Sequence, residues 1–337
     1  MYCPRIDHFV KIQPPIQNKM VKLCCHMVRP PIFENYDTMM QSEWVNNIRK
    51  KFDENVFPKE CVRCDIDEKN NSTSVRISAL AEHEKQTTEN YLIADILLDN
   101  ICNSGCQICS PILSTKIGSL YNSKNYTIID NTKNLNNIPL DRIVELDIAG
   151  GEPSHSKNTK NLLLNLPKNV KKIRINTNGS RFMDELIPLL DKGIEIKITF
   201  SLDGIGKVQE YIRWPIVWEK YIETVNQYKE LQLKYDKLLL DFWCTINVLN
   251  INDFLNIKTF AENINIPLAY SVLDNPFVLN IKYKNHFTDN AKQNPLINNL
   301  FKFNLATDFN NQEQLNKFIQ TQDNLRKIDI KYYINFG

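Results

Sequence analysis

The chain has 337 residues, 42% apolar and 24% charged, with a net charge of +2. Such a length and balance suit one large α/β domain with a smaller appendage, and the near-neutral charge gives no electrostatic case for a nucleic-acid partner. No apolar run reaches membrane-spanning length and the N-terminus lacks the basic-then-apolar layout of an export signal, so a cytoplasmic protein with no membrane partner is expected.

Residues 1–90 read as a separate N-terminal unit. It opens with Cys3, passes through a strand-like run from Met20 to Cys25 and turns at Pro30-Pro31. Thr38 and Gln41 read as a capping box opening a helix that carries Trp44, Ile48 and Phe52 on one face. Cys61-Val62-Arg63-Cys64 follows. Cys3, one of Cys24 and Cys25, Cys61 and Cys64 make four candidate ligands for one centre. Four thiolates suit either an auxiliary [4Fe–4S] cluster or a structural zinc, and spacing alone does not separate them. The polar stretches Asn70–Ser74 and Glu82–Asn90 read as loop or linker.

From Tyr91 the pattern becomes strand and helix in alternation. Strands are predicted over 91–98, 142–149, 172–176, 195–200, 238–248 and 268–273. Phe182, Leu186, Leu189 and Leu190 mark one intervening helix, stopping at Gly193. Strands joined by helices imply a parallel sheet with right-handed crossovers. Six such units are too few for a closed eight-stranded barrel, so the fold class expected is α/β, a partial (βα)6 TIM-like barrel over 91–275. Residues 276–337 are polar and read as a helical covering segment, with aromatics at Phe301, Phe303, Phe309 and Phe318.

The first of these strands leads directly into Cys102-Asn103-Ser104-Gly105-Cys106-Gln107-Ile108-Cys109. Nine cysteines, an odd count with short spacings, favour metal binding in a reducing compartment over disulfides. The C-x3-C-x2-C spacing can hold three irons of a [4Fe–4S] cluster and leaves the fourth iron for a small molecule. A zinc knuckle or three buried thiols are the alternatives, although zinc usually takes four protein ligands. The next three strands end in Gly150-Gly151-Glu152-Pro153, Thr177-Asn178-Gly179 and Ser201-Leu202-Asp203-Gly204. Strand ends form the rim where barrel enzymes build their sites. Singly, Gly150-Gly151 and Asn178-Gly179 could be turns and Asp203 a helix cap. Cys244 reads as a buried apolar residue. No catalytic acid or base stands out, and the five histidines read as structural or surface residues.

Taken together, the three-cysteine motif, Gly-Gly-Glu-Pro and the polar ends of the next two strands resemble the radical S-adenosylmethionine (SAM) enzymes, over about residues 91–275. The resemblance implies that Cys102, Cys106 and Cys109 ligate the cluster and that Gly150, Gly151 and Glu152 line the methionine end of SAM. Glu152 would accept from the SAM ammonium, a pairing that makes a buried ammonium far less costly. Asn178 and Ser201 would contact the carboxylate or ribose, with Asp203 as a further candidate. Arg213 would present its fork to the carboxylate, the alternative being a surface salt bridge. Ile108 stands where many members carry an aromatic, so the adenine contact would be apolar without stacking.

The N-terminal cysteines resemble the SPASM and twitch auxiliary-cluster domains, which usually follow the barrel and here precede it. The resemblance further implies reductive cleavage of SAM to a 5′-deoxyadenosyl radical that abstracts hydrogen from a substrate. An auxiliary cluster would assist electron transfer, and a flavodoxin or ferredoxin would donate electrons. The expected substrate is a peptide or protein undergoing modification, crosslinking or epimerisation, with a sugar or other small molecule as the alternative. An activase installing a glycyl radical on a partner enzyme would carry the same motifs. A non-enzymatic iron–sulfur carrier or zinc-stabilised binding module would leave Gly150-Gly151-Glu152 without a purpose.

Overall fold

The computed structural model describes residues 1–86, 90–122 and 126–334. Eight strands form one sheet: β1 (Phe9–Ile16), β2 (Lys19–Lys22), β3 (Leu92–Leu97), β4 (Ile143–Ala149), β5 (Lys172–Thr177), β6 (Glu195–Ser201), β7 (Leu238–Ile246) and β8 (Leu268–Val272), in the order β2-β1-β3-β4-β5-β6-β7-β8. Strands β3 to β8 are the six expected from sequence. Every neighbouring pair among them is parallel, and helices connect them. The architecture is α/β, a partial barrel.

The expected boundary near residue 90 falls inside this sheet. Strand β1 runs parallel to β3, with Phe9 opposite Ile93 and Ile12 opposite Ile96, and β2 pairs antiparallel on its far side. Val10, Ile12 and Val21 belong to the same buried cluster as Ile96, Ile148 and Ile175. Pro14-Pro15 obscured β1 in the sequence, because proline is confined to strand edges and ends. Both prolines sit at the C-terminal end of β1, beyond its pairing with β3. Of the stretch read as linker, residues 82–83 close the helix Val75–His83, and 87–89 lie outside the described residues.

The capping residues also differ from expectation. Asn35, not Thr38, caps a short helix Tyr36–Met40, with Thr38 answering as the third helical residue of the capping box. Ser42 then caps Glu43–Asp53, whose Val45, Ile48 and Phe52 are buried while Trp44 donates to Glu60 Oε1 at 3.3 Å. The periodic face was right and the start was one short helix too early.

One face of the sheet is apolar, carrying Ile96, Ile148, Ile175, Ile198 and Leu240 against the helices. The other face is charged. Cross-strand register sets Lys11, Asp95, Asp147, Arg174 and Lys197 side by side on five successive strands. Opposite charges on neighbouring strands pair across this face: Lys11 meets Asp95 at 2.6 Å, Arg174 meets Asp147 at 3.6 Å and Lys197 meets Asp241 on β7 at 2.5 Å. A full barrel fills its interior with packed side chains, whereas this open one carries an ionic floor beneath the strand ends.

Residues 276–334 form helices, with a two-stranded parallel sheet, Tyr283–Lys284 with Ala306–Asn310, added among them. The helix Gln312–Arg326 lies against the cysteine loop and the helix Thr115–Tyr121. Its Gln322 Nε2 donates to Tyr121 Oη at 2.5 Å, and Tyr211 Oη donates to Asp323 Oδ1 at 2.9 Å.

Because β1 shares the core, Ile12→Ala should destabilise the sheet as a whole, by about 3 kcal/mol from lost burial and the cavity left behind. Chemical denaturation should show one cooperative transition moved to lower denaturant. Two transitions, with only one displaced, would show that the N-terminal segment folds apart.

Candidate functional site

The strands end level with one another, Leu97 opposite Ala149, Thr177 opposite Phe200 and Ser201 opposite Trp243. The four motifs therefore meet at one rim. A cavity of about 550 Å³ opens there, within the size range of small-molecule sites. Cys102, Cys106, Cys109, Ile108, Gly150, Gly151, Glu152, Asn178, Ser201 and Arg213 all line it.

The two glycines are required by a close backbone approach. Gly151 N donates to Asp99 O at 3.0 Å and Glu152 N donates to Ile101 O at 2.7 Å, so the end of β4 runs against the chain entering Cys102. A Cβ on Gly150 would overlap Asp99 O, and one on Gly151 would overlap Ile101 O. Gly150 also has φ +132°, a conformation that glycine alone adopts readily.

The cysteine loop is held from every side. Cys102 N donates to Thr115 Oγ1 at 3.1 Å, and Ser114 Oγ donates to Ser104 O at 2.8 Å. Gly105 N and Gln107 N donate to Trp214 O and Ile212 O, both at 2.7 Å. Asn178 Nδ2 donates to Asn103 Oδ1 and Ser104 Oγ, both at 2.8 Å. Asn178 thus orients the loop as well as lining the cavity.

Glu152 is 1% exposed, and every donor it meets is neutral. Its Oε1 accepts from Ser154 N at 3.1 Å, Ser154 Oγ at 2.7 Å and Thr177 Oγ1 at 2.7 Å, while Oε2 accepts from Asn178 N at 2.6 Å. A buried carboxylate aligned by neutral donors, with no cation in ion-pair contact among the described residues, is a ready partner for a ligand ammonium.

Arg213 is neither free nor on the surface. Its Nε donates to Asp203 Oδ2 at 2.7 Å, its Nη2 lies 2.7 Å from the same oxygen as an ion pair, and its Nη1 lies 4.0 Å from Cys106 Sγ. Asp203 is fully buried and also accepts from Thr245 N at 2.7 Å through Oδ1. The fork expected to face a ligand carboxylate is thus turned toward a protein one.

Burial pushes the three thiols up, Cys102 and Cys109 to about 12. For Cys106 burial also dominates, opposed by the positive charges of Arg213 and Arg326. The protons on these thiols must leave when a metal binds. Iron loading of the metal-free chain should therefore weaken as pH falls, from about 9 to about 6, with proton release on binding. Chelator-competition titrations across that range would check it, and an affinity independent of pH would contradict it.

A second cavity lies in the N-terminal segment. Cys3, Cys24, Cys61 and Cys64 line it together with Arg5 and Arg76, between apolar walls that include Leu23, Met27 and Phe57. Cys25 does not line it; its Sγ lies 3.3 Å from Arg5 Nη1. Burial raises Cys3 to about 11 and Cys61 to about 12. Among the described residues no three His, Cys, Asp or Glu side chains gather as ligands of a single metal ion. A cubane places each of its thiolates on a separate iron and so draws on a wider ring of sulfurs.

Residues 96–261 match the family model of the radical SAM superfamily. Over that span the chain is similar to the radical SAM superfamily. The match begins in β3, ends in the helix Phe254–Asn263 and takes in the three cysteines and every rim motif, leaving the N-terminal cysteines outside. No curated protein matches the chain. Among solved structures, native anSMEcpe with bound AdoMet is 17% identical with a TM-score of 0.39, over 52% of this chain and 50% of that one. Streptococcus suis SuiB bound to S-adenosylmethionine is 12% identical with a TM-score of 0.43, over 77% of this chain and 57% of that one. SuiB bound to precursor peptide SuiA is 14% identical with a TM-score of 0.40, over 68% and 52%. The chain thus spans between half and three-fifths of the length of these structures. Among the described residues no helix is long and apolar enough to cross a membrane.

The rim cavity also draws on residues that carry no signal in the sequence. Lys11, Gln13 and Lys22 line the rim cavity because β1 and β2 join the sheet. Asp99 accepts from Ile101 N at 3.0 Å and from Ser156 Oγ at 2.5 Å, tying the cysteine loop to the turn after Glu152. Neither set carries a motif, and only the topology brings them together.

Gly151→Ala should leave the fold intact but disturb the segment Asp99–Cys102, since the added methyl meets backbone there. Iron bound after anaerobic reconstitution should fall well below the wild-type amount, with the circular dichroism unchanged. Full iron loading would contradict the tight packing described here.

Proposed function

We propose that this protein binds a [4Fe–4S] cluster through Cys102, Cys106 and Cys109 and cleaves SAM reductively to abstract hydrogen from a peptide or protein. The observation that carries the reading is the single cavity in which three buried thiols, the Gly150-Gly151-Glu152 turn and the buried carboxylate of Glu152 meet. Cluster and SAM together would supply the radical chemistry, while the protein binds, orients and shields. Glu152 holds the ligand ammonium. Ser201 offers a hydroxyl at the end of β6, and Ile108 an apolar surface next to Cys109. Arg213, neutralised by Asp203, sets the electrostatics beside Cys106, its Nη1 lying 4.0 Å from that sulfur.

Support for an extended substrate comes from a groove beside the site. It is lined by Pro14, Ile16, Ile112, Leu113, Tyr121 and Ile128, among others, and has a volume of about 1030 Å³. Ile16, Ile112 and Ile128 are each more than half exposed, an apolar surface of the kind that marks binding grooves. Gln13, Pro14 and Leu113 line both the groove and the rim cavity, so a chain lying in one reaches the other.

The N-terminal cavity fits a SPASM- or twitch-like auxiliary [4Fe–4S] cluster, closed by Cys3, Cys24, Cys61 and Cys64 with Cys25 left free. Four thiols facing Arg5 and Arg76 suit an anionic four-thiolate centre. The N-terminal segment would then be the auxiliary unit and 276–337 the cover of the cysteine loop.

Reconstituted protein should hold about two [4Fe–4S] clusters. Cys61→Ala with Cys64→Ala should lower this to about one and leave the SAM-responsive electron paramagnetic resonance signal in place. Cys25→Ala should keep both clusters. Zinc in place of the second cluster, or loss of a cluster in Cys25→Ala, would overturn the auxiliary assignment. For Glu152→Gln the cluster should assemble and SAM binding weaken by about tenfold or more, the cost of an unpaired buried ammonium. Unchanged SAM affinity would remove Glu152 from its role.

A further inference from the structure

Arg326 is 4% exposed, on a helix outside the family match, yet it reaches the centre of the cysteine loop. Its Nε donates to Gly105 O at 2.8 Å, the carbonyl joined to Cys106. Its Nη1 donates to Gln322 O at 3.2 Å and Gln322 Oε1 at 2.6 Å. All of these acceptors are neutral. Among the described residues no carboxylate lies within ion-pair distance of Arg326. Asp323, one turn earlier, accepts instead from Tyr211 Oη and from Ile330 N at 2.9 Å each.

A buried guanidinium without an anion is costly, and removing one partner of a buried pair usually destabilises strongly. Arg213, the other cation beside Cys106, differs because Asp203 cancels its charge. The loop therefore carries one uncompensated positive charge. What compensates it must be anionic and must sit where the thiols are.

We infer that Arg326 is the counter-charge of the cluster held by Cys102, Cys106 and Cys109, and that it raises that cluster's reduction potential. The inference rests on the cluster proposed above at Cys102, Cys106 and Cys109, and on neither the peptide substrate nor the auxiliary cluster. Reduction adds one electron to an already anionic centre. A fixed positive charge in a low-dielectric loop favours the more negative state, and charge and hydrogen bonding are among the factors that set cluster potentials. Arg326 is thereby a positioning residue: it acts through the loop and touches no substrate.

The test compares Arg326→Gln, which can still donate to Gly105 O without charge, with Arg326→Lys, which keeps the charge. Dithionite titration of the reconstituted full chain, followed by the electron paramagnetic resonance signal that changes on adding SAM, reads the relevant cluster alone. Arg326→Gln should move its midpoint to more negative potential, and Arg326→Lys should stay near wild type. Equal potentials in all three proteins would overturn the inference, as would equal shifts in both variants. If Arg326→Gln fails to assemble a cluster, a wild-type midpoint in Arg326→Lys still supports it. Loss of the cluster or of the fold in both variants would make the residue structural and overturn the assignment. Absence of any SAM-responsive signal in wild type would instead refute the proposed function.

Discussion

The site depends on one backbone contact, the approach of Gly150-Gly151-Glu152 to the segment Asp99–Cys102. Two main-chain hydrogen bonds, Gly151 N to Asp99 O and Glu152 N to Ile101 O, continue the β3–β4 pairing beyond the strands. Side chains larger than hydrogen would meet carbonyl oxygens, so only the glycine pair permits this closeness. From that contact follow both halves of the cavity. It aims the cysteines toward the rim, and it delivers Glu152 beneath Thr177 and Asn178. A carboxylate and a set of thiols thus face one space with their backbones locked together.

Charge distribution does the remaining work of definition. Below the rim the concave face is balanced internally, lysine against aspartate along the strands. At the rim, balance is left incomplete in two places. Glu152 is buried among neutral donors and Arg326 among neutral acceptors. Arg213 and Asp203 form a closed pair between them. An unmatched anion and an unmatched cation, each buried, are the signature of a site completed by its ligands, since burial of a lone charge is otherwise strongly unfavourable. The ammonium of SAM suits the first and a thiolate cluster suits the second.

Much of this was legible in the sequence because the informative residues are contiguous. The three-cysteine motif, the glycine pair and the strand-end asparagine and serine each sit within a few residues of an apolar run, and the six strands fell within two residues of expectation at every end. What stayed hidden is long-range. Strand β1 contains Pro14-Pro15 and pairs with a strand about 80 residues later, so Lys11 and Gln13 gave no sign of reaching the rim. Arg326 lies 221 residues from Gly105, on a helix whose sequence is ordinary. Arg213 was expected at the site and is there, but its engagement with Asp203 depends on the turn between them and on Thr245 of a neighbouring strand. Among Cys24 and Cys25 the spacing could not choose; in the turn after β2, Cys24 lines the cavity and Cys25 lies beside Arg5.

The central claim is that the rim cavity cleaves SAM by way of the three cysteines. The most direct measurement is 5′-deoxyadenosine release by anaerobically reconstituted, dithionite-reduced protein mixed with SAM, compared with Cys106→Ala treated identically. The wild-type chain should release it and the variant should not. Equal release by both, or none from a wild-type protein shown to carry a reduced cluster, would contradict the account.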